Sequence, residues 1–140
     1  MNTQVELIAC STCGSSERDA EGRTRGERLL LQLQAARDAS EHRAVALSST
    51  RCLWLCKRSC AVHLRSEGRV GYLLAELDES SETARGLLDY ASLYAGSSDG
   101  AVPFKQWPQA VRGHFVSRIP AAPSASVETL DGAQQTASKE

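Results

Sequence analysis

The chain has 140 residues, enough for one compact domain with some chain left over, and its 41% hydrophobic and 24% charged content suits a globular protein with a buried core. A formal net charge of −1 and an aromatic content of 5% exclude a general electrostatic or base-stacking case for nucleic acid. No apolar run approaches the roughly 18 residues of a membrane-spanning helix, which argues against a membrane protein. The opening MNTQVELIAC has neither a basic region nor a long apolar stretch, so it does not read as a signal peptide, and a cytoplasmic location is expected. In that reducing compartment five cysteines are expected to bind metal or do redox work and not to form structural disulfides.

Taken in chain order, TQVELIA at 3–9 reads as a strand that ends in a loop beginning with Cys10 and Cys13. Thr24 and Glu27 have capping-box spacing, and Leu29, Leu30, Leu33 and Ala36 recur at helical intervals behind them, which predicts a helix over about 25–40. AVALSS at 44–49 is a second strand, followed by the run CLWLCKRSC that carries Cys52, Cys56 and Cys60. AVHLRS and RVGYLLAEL form a hairpin about Glu67-Gly68. Ala84, Leu87, Leu88, Ala91 and Tyr94 make a second apolar helix face, stopped at Gly96.

Residues 99–120, with Trp107-Pro108 and Ile119-Pro120, are expected to wrap the domain as ordered coil. From about 121 the composition turns to Ala, Ser, Gln, Thr and Glu without periodicity, so 121–140 is expected to be a disordered tail to a domain of residues 1–120. A strand–helix–strand crossover, then a hairpin and a helix, predicts a thioredoxin-like α/β fold: a mixed sheet of about four strands with two main helices.

The topology gives the scattered thiols a common location. If the first two strands are parallel neighbours, Cys10 and Cys13 follow one, Cys52 and Cys56 follow the other, and both pairs emerge at the carboxyl edge where open α/β sheets place ligands. Four soft thiolates there suit zinc or an iron–sulfur cluster, and Arg51, Lys57 and Arg58 stand near enough in sequence to offset their charge. Cys60 is open between ligation and simple core burial, because Cys60, Val62 and Leu64 share one face of the expected strand. On that pattern His63 points the other way and reads as a surface histidine; His42 and His114 have no partners legible in sequence, and Arg112 and Arg118 read as solvated charge.

Cys10-x-x-Cys13 directly after a strand also fits a thioredoxin-type dithiol, although that motif usually opens a helix at once. Nothing matches a phosphate loop, a nucleophile elbow or a catalytic carboxylate pair, so a binding or carrier protein is expected and not an enzyme.

The order CSTC, then CLWLC after the second strand, resembles the thioredoxin-like 2Fe–2S ferredoxins, small electron carriers with one cysteine pair after each of the first two strands. That resemblance implies a 2Fe–2S cluster on Cys10, Cys13, Cys52 and Cys56 and a redox protein partner. The first pair is spaced more tightly than in that family, which leaves Cys60 as an alternative ligand. The runs CSTC, CLWLCKRSCAV, VGYLLAELD, DGAVPFKQWP and SRIP resemble an uncharacterised bacterial family of small predicted metal-binding proteins. The expectation is therefore an electron carrier or an accessory to metal-cofactor metabolism, with a zinc-stabilised interaction module and a dithiol redox protein as alternatives.

Overall fold

In a computed structural model of the chain, the structure describes residues 4–13, 18–39, 45–55, 58 and 60–121. The first strand, β1, spans Glu6–Cys10 and leads through a loop to helix α1, Arg25–Asp38. Thr24 caps α1 by accepting the Glu27 N–H, while the Glu27 carboxylate accepts the Thr24 N–H at 2.9 Å, so the expected capping box is formed. Gly26, Leu29 and Leu33 are its buried residues.

β2 (Ala46–Thr50) returns parallel to β1, with Leu7 opposite Leu47 and Cys10 opposite Thr50. β3 (Val62–Arg65) and β4 (Gly71–Leu74) form the hairpin. Its turn is closed by Arg69 N–H donating to the Ser66 carbonyl at 3.1 Å, with Gly68 at φ +81° supplying the left-handed position such a turn requires. Helix α2 runs Ser81–Ala95 and begins earlier than its apolar face, because Ser80 caps it by accepting the Thr83 N–H at 3.1 Å.

The segment expected to be coil is partly regular. Two short 3₁₀ turns, Phe104–Gln106 and Gln109–Val111, precede a fifth strand, β5 (Phe115–Ile119), paired antiparallel to β4 across a bulge at Leu73/Leu74. Among the described residues the sheet therefore has five strands, in the order β2-β1-β3-β4-β5, where about four were expected. β5 is an edge strand whose alternation is weak, with Ser117 and Arg118 exposed, so a hydrophobic pattern had little to display.

The described residues thus form an α/β fold, with a mixed five-stranded sheet and two α-helices. The parallel β1–β2 pair, the antiparallel β3–β4 hairpin and the helix after it are the parts a thioredoxin-like arrangement needs. Cross-strand neighbours Leu7–Leu64, Ala9–Val62 and Leu64–Tyr72 make one face, against which α2 packs Tyr90 and Tyr94 edge-on to Tyr72. α1 packs on α2 and on β1 and β2. Glu6–Arg65 and Ile8–His63 lie on the other face. Each large apolar side chain buried in this core stabilises the fold by about 1.5–3 kcal/mol. Among the described residues no helix is long and apolar enough to cross a membrane. The residues after 121, expected to form a tail, lie outside the described residues.

Candidate metal centre

Three strand ends meet at one edge of the sheet. Cys10 closes β1, and its N–H donates to the Ala61 carbonyl at 3.1 Å, just ahead of β3. Ser11 N–H donates to the Thr50 carbonyl at 2.8 Å, where β2 ends. Cys60 lies before β3 and not within it, and it exchanges two backbone hydrogen bonds with Leu77, of 3.2 and 3.1 Å. Between that pair and the Val62–Leu74 pair the β4 side holds one extra residue, and Glu76 adopts φ +60° there. This bulge bends the chain directly at the cysteine edge.

The start of α1 is fastened to the same place. Gly26 N–H donates to the Cys13 carbonyl at 3.1 Å, and the Thr24 hydroxyl donates to the Ser11 carbonyl at 2.5 Å. Gly26 has to be glycine, because a Cβ there would stand 1.9 Å from the Cys10 carbonyl oxygen and 3.4 Å from Cys13 Cβ. A helix N-terminus therefore abuts the Cys10–Cys13 turn.

Cys10, Cys13 and Cys60 are all fully buried and all free. The thiols of Cys10 and Cys13 shift each other's ionisation in opposite directions, and Cys60 is close enough to act electrostatically on Cys13. Burial opposes ionisation of Cys10, but hydrogen bonds from the Cys13 thiol, the Leu53 backbone and Thr12 outweigh it and lower its pKa below the ordinary 9.0. Burial, reinforced by Cys10, pushes the Cys13 thiol up to about 12. Burial likewise raises Cys60 to about 11, against the pull of Arg25 and Arg28. The three sulfurs are thus unequal, with Cys10 the readiest to carry charge.

The loop after β2 reaches over this group. The Thr12 hydroxyl donates to the Arg51 carbonyl at 2.6 Å, and Cys10 Sγ lies 3.8 Å from the same oxygen. Cys52 is exposed, and its sulfur accepts the Trp54 N–H at 3.2 Å. Cys56, like Lys57 and His42, lies outside the described residues. Among the described residues no group of three or more His, Cys, Asp or Glu side chains is arranged to hold a metal ion. Cys60 is near enough to Cys10 and Cys13 to act on them electrostatically, and Cys52 stands on the adjoining loop.

The remaining sequence candidates stand elsewhere. His63 is half-buried on the opposite face, its pKa lowered by burial and then by Arg65, and it lines a cavity of about 430 Å³ with Glu6 and Arg65. His114 Nδ1 lies 2.9 Å from the Ala75 carbonyl. The Arg112 guanidinium stacks over Phe104 at 4.7 Å. Arg58 pairs with Glu76 at 3.0 Å.

The cations acting on Cys60 are instead Arg25 and Arg28, which share Glu79 at 3.3 and 3.0 Å. Sequence reasoning missed them. Their signal was present, since they occupy the first turn behind a capping box whose helix must start beside the end of β1.

Fold and site together define a small α/β protein with a cysteine-rich carboxyl edge. The chain belongs to the family described as "Protein of unknown function (DUF1636)", which matches residues 7–121. No curated protein and no solved structure matches it.

Proposed function

We propose that this chain is a thioredoxin-like protein that binds a cysteine-ligated metal centre at the carboxyl edge of β1 and β2. The centre is of the 2Fe–2S type, and the protein is a cytoplasmic electron carrier or an accessory to metal-cofactor metabolism, not an enzyme. One observation supports the reading: Cys10, Cys13 and Cys60 are all buried at one sheet edge, near enough to act on one another electrostatically, and Cys10 Sγ lies 3.8 Å from the Arg51 carbonyl on the loop that carries Cys52.

The donor set is all sulfur, which suits zinc and iron–sulfur clusters and disfavours magnesium or calcium. Cys10, Cys13, Cys52 and Cys56 are the assigned ligands, and Cys60 is a fifth candidate. A bound cluster would supply one-electron exchange. The chain's own residues hold the sulfurs in place, with Gly26 and Thr24 fastening the first pair to α1. Arg25 and Arg28 offset negative charge beside Cys60. Binding would displace the protons that burial keeps on Cys13 and Cys60.

A specific observation also favours a second reading. The opposite pKa directions of Cys10 and Cys13, two residues of one turn beside a helix start, are those of a reactive dithiol. Anaerobic purification with absorption spectroscopy and iron, sulfide and zinc analysis decides. A coloured protein with iron and sulfide is expected. A colourless protein with about one zinc per chain would make it a zinc-stabilised interaction module. A metal-free protein that reversibly forms a Cys10–Cys13 disulfide would make it a dithiol redox protein.

A further inference from the structure

Between β5 and the segment that follows α2 lies a cavity of about 280 Å³. Tyr72, Val102, Trp107 and Phe115 wall it, and the exposed Arg118 also lines it. The polar ends of these walls are already used. The Tyr72 hydroxyl donates to the Gly100 carbonyl at 3.1 Å, and the Trp107 indole N–H to the Val102 carbonyl at 2.8 Å. Phe115 stands 4.6 Å from Trp107 and 5.3 Å from Tyr72, so three rings meet here and leave mainly apolar surface to the cavity.

Arg118 is brought to this place by strand register. On β5 it lies opposite Tyr72 of β4, on the face that carries the helices, and it is near enough to Tyr90 of α2 to act on that phenol electrostatically. Among the described residues Arg118 has no hydrogen-bond or ion-pair partner. No acidic side chain lines the cavity. Asp99, the one acid between residues 96 and 121, lies outside the lining and accepts the Ala101 N–H at 3.0 Å. The larger cavity beside His63 differs, because Arg65 there already pairs with Glu6 at 2.6 Å and Arg69 donates to the Ser66 hydroxyl at 2.7 Å.

Ring walls beside one unpaired guanidinium suit a flat apolar body that carries one negative charge. A guanidinium matches the two oxygens of a carboxylate, whereas a phosphate dianion calls for a second cation or a row of backbone N–H groups that this lining lacks. The volume lies just below the usual ligand range of roughly 300–1,000 Å³, which limits the body to one or two rings.

We propose that this cavity binds a small aromatic carboxylate, its rings against Trp107 and Phe115 and its carboxylate on Arg118. The site uses none of the cysteines, so it stands apart from the metal-centre reading.

The test titrates the full-length ¹⁵N-labelled protein, as purified, with 2-naphthoate as probe. Shifts are expected at the Trp107 indole N–H and at the amides of Val102 and residues 115–118. Naphthalene-2-methanol has the rings without the charge, and hexanoate the charge without the rings; each should bind roughly five-fold more weakly or worse. Arg118→Gln should lower the naphthoate affinity by about the same factor, as expected for an ion pair at a partly exposed mouth. Ala101→Phe, at an exposed position of the lining, should lower it further by narrowing the cavity. No binding, equal binding of the neutral alcohol, an affinity unaffected by Arg118→Gln, or shifts centred on His63 would each overturn the site. Movement of the same signals with protein concentration alone would overturn it too, and would make the groove a contact between copies of the chain.

Discussion

Gly26 decides how closely α1 approaches the first cysteine pair. A methyl group there meets the Cys10 carbonyl at 1.9 Å, and a backbone atom in a strand end cannot swing aside. Gly26→Ala is expected to destabilise the protein by about 1–3 kcal/mol, the usual result of overpacking, read as a lower urea midpoint. Metal retention should fall with it, because Cys10 and Cys13 move. The cysteines separate in the same way. Serine lacks a soft anionic donor, so Cys10→Ser, Cys13→Ser, Cys52→Ser and Cys56→Ser should each lose metal or exchange it readily. Cys60→Ser places a hydroxyl in a fully buried site and should cost about 1–3 kcal/mol while metal stoichiometry holds. Loss of metal in Cys60→Ser with retention in Cys13→Ser would exchange their roles.

The two helices are anchored by their caps, and each cap also holds a neighbouring segment. Thr24 serves both the first turn of α1 and the Ser11 carbonyl, so Thr24→Ala should cost about 1 kcal/mol or more and loosen the cysteine turn. Thermal melting of the variant checks the first effect, and metal retention checks the second. At α2, Asp78 accepts hydrogen bonds from Thr83 at 2.6 Å and Ser80 at 2.7 Å, which lower its pKa below the usual 3.8. A carboxyl with a depressed folded pKa stabilises the fold above the unfolded value and loses that stabilisation as pH falls through the folded one. The melting temperature should therefore drop on acidification below 3.8, and Asp78→Asn should flatten that acid limb. Both helices were legible from local sequence because caps and apolar periodicity act within a few residues of each other. β5 was not, because an edge strand buries little of itself and its partner lies some 40 residues earlier.

For the whole molecule, the segment after α2 completes the core. Phe115 packs edge-on against Tyr72 and Tyr90 at 5.3 Å, and Trp107 lies 4.6 Å from Phe115, while its indole N–H donates to the Val102 carbonyl at 2.8 Å. Val111 is fully buried. Truncation from Val102 onward removes these residues and β5 together, and should abolish the cooperative melting transition seen by circular dichroism. Removal of residues 124–140 should leave that transition and the metal content unchanged, since the stretch has no apolar periodicity. Loss of metal on the shorter truncation would move the domain boundary past 120.

Spacing and periodicity alone determined the two helices, the first four strands, and the placing of Cys10 and Cys52 at one edge. These depend on local preferences and on the rule that a short strand–helix–strand unit pairs its strands in parallel. The surroundings of the sulfurs were decided only in three dimensions. Cys60 comes within electrostatic reach of Cys10 and Cys13 because β3 runs antiparallel beside β1 and a bulge adds one residue opposite its start. Arg25 and Arg28 act on Cys60, some 30 residues away in sequence, because Gly26 lets the helix close on the strand end. Periodicity shows which face of an element is buried, whereas sheet order and close packing decide which residues meet across it.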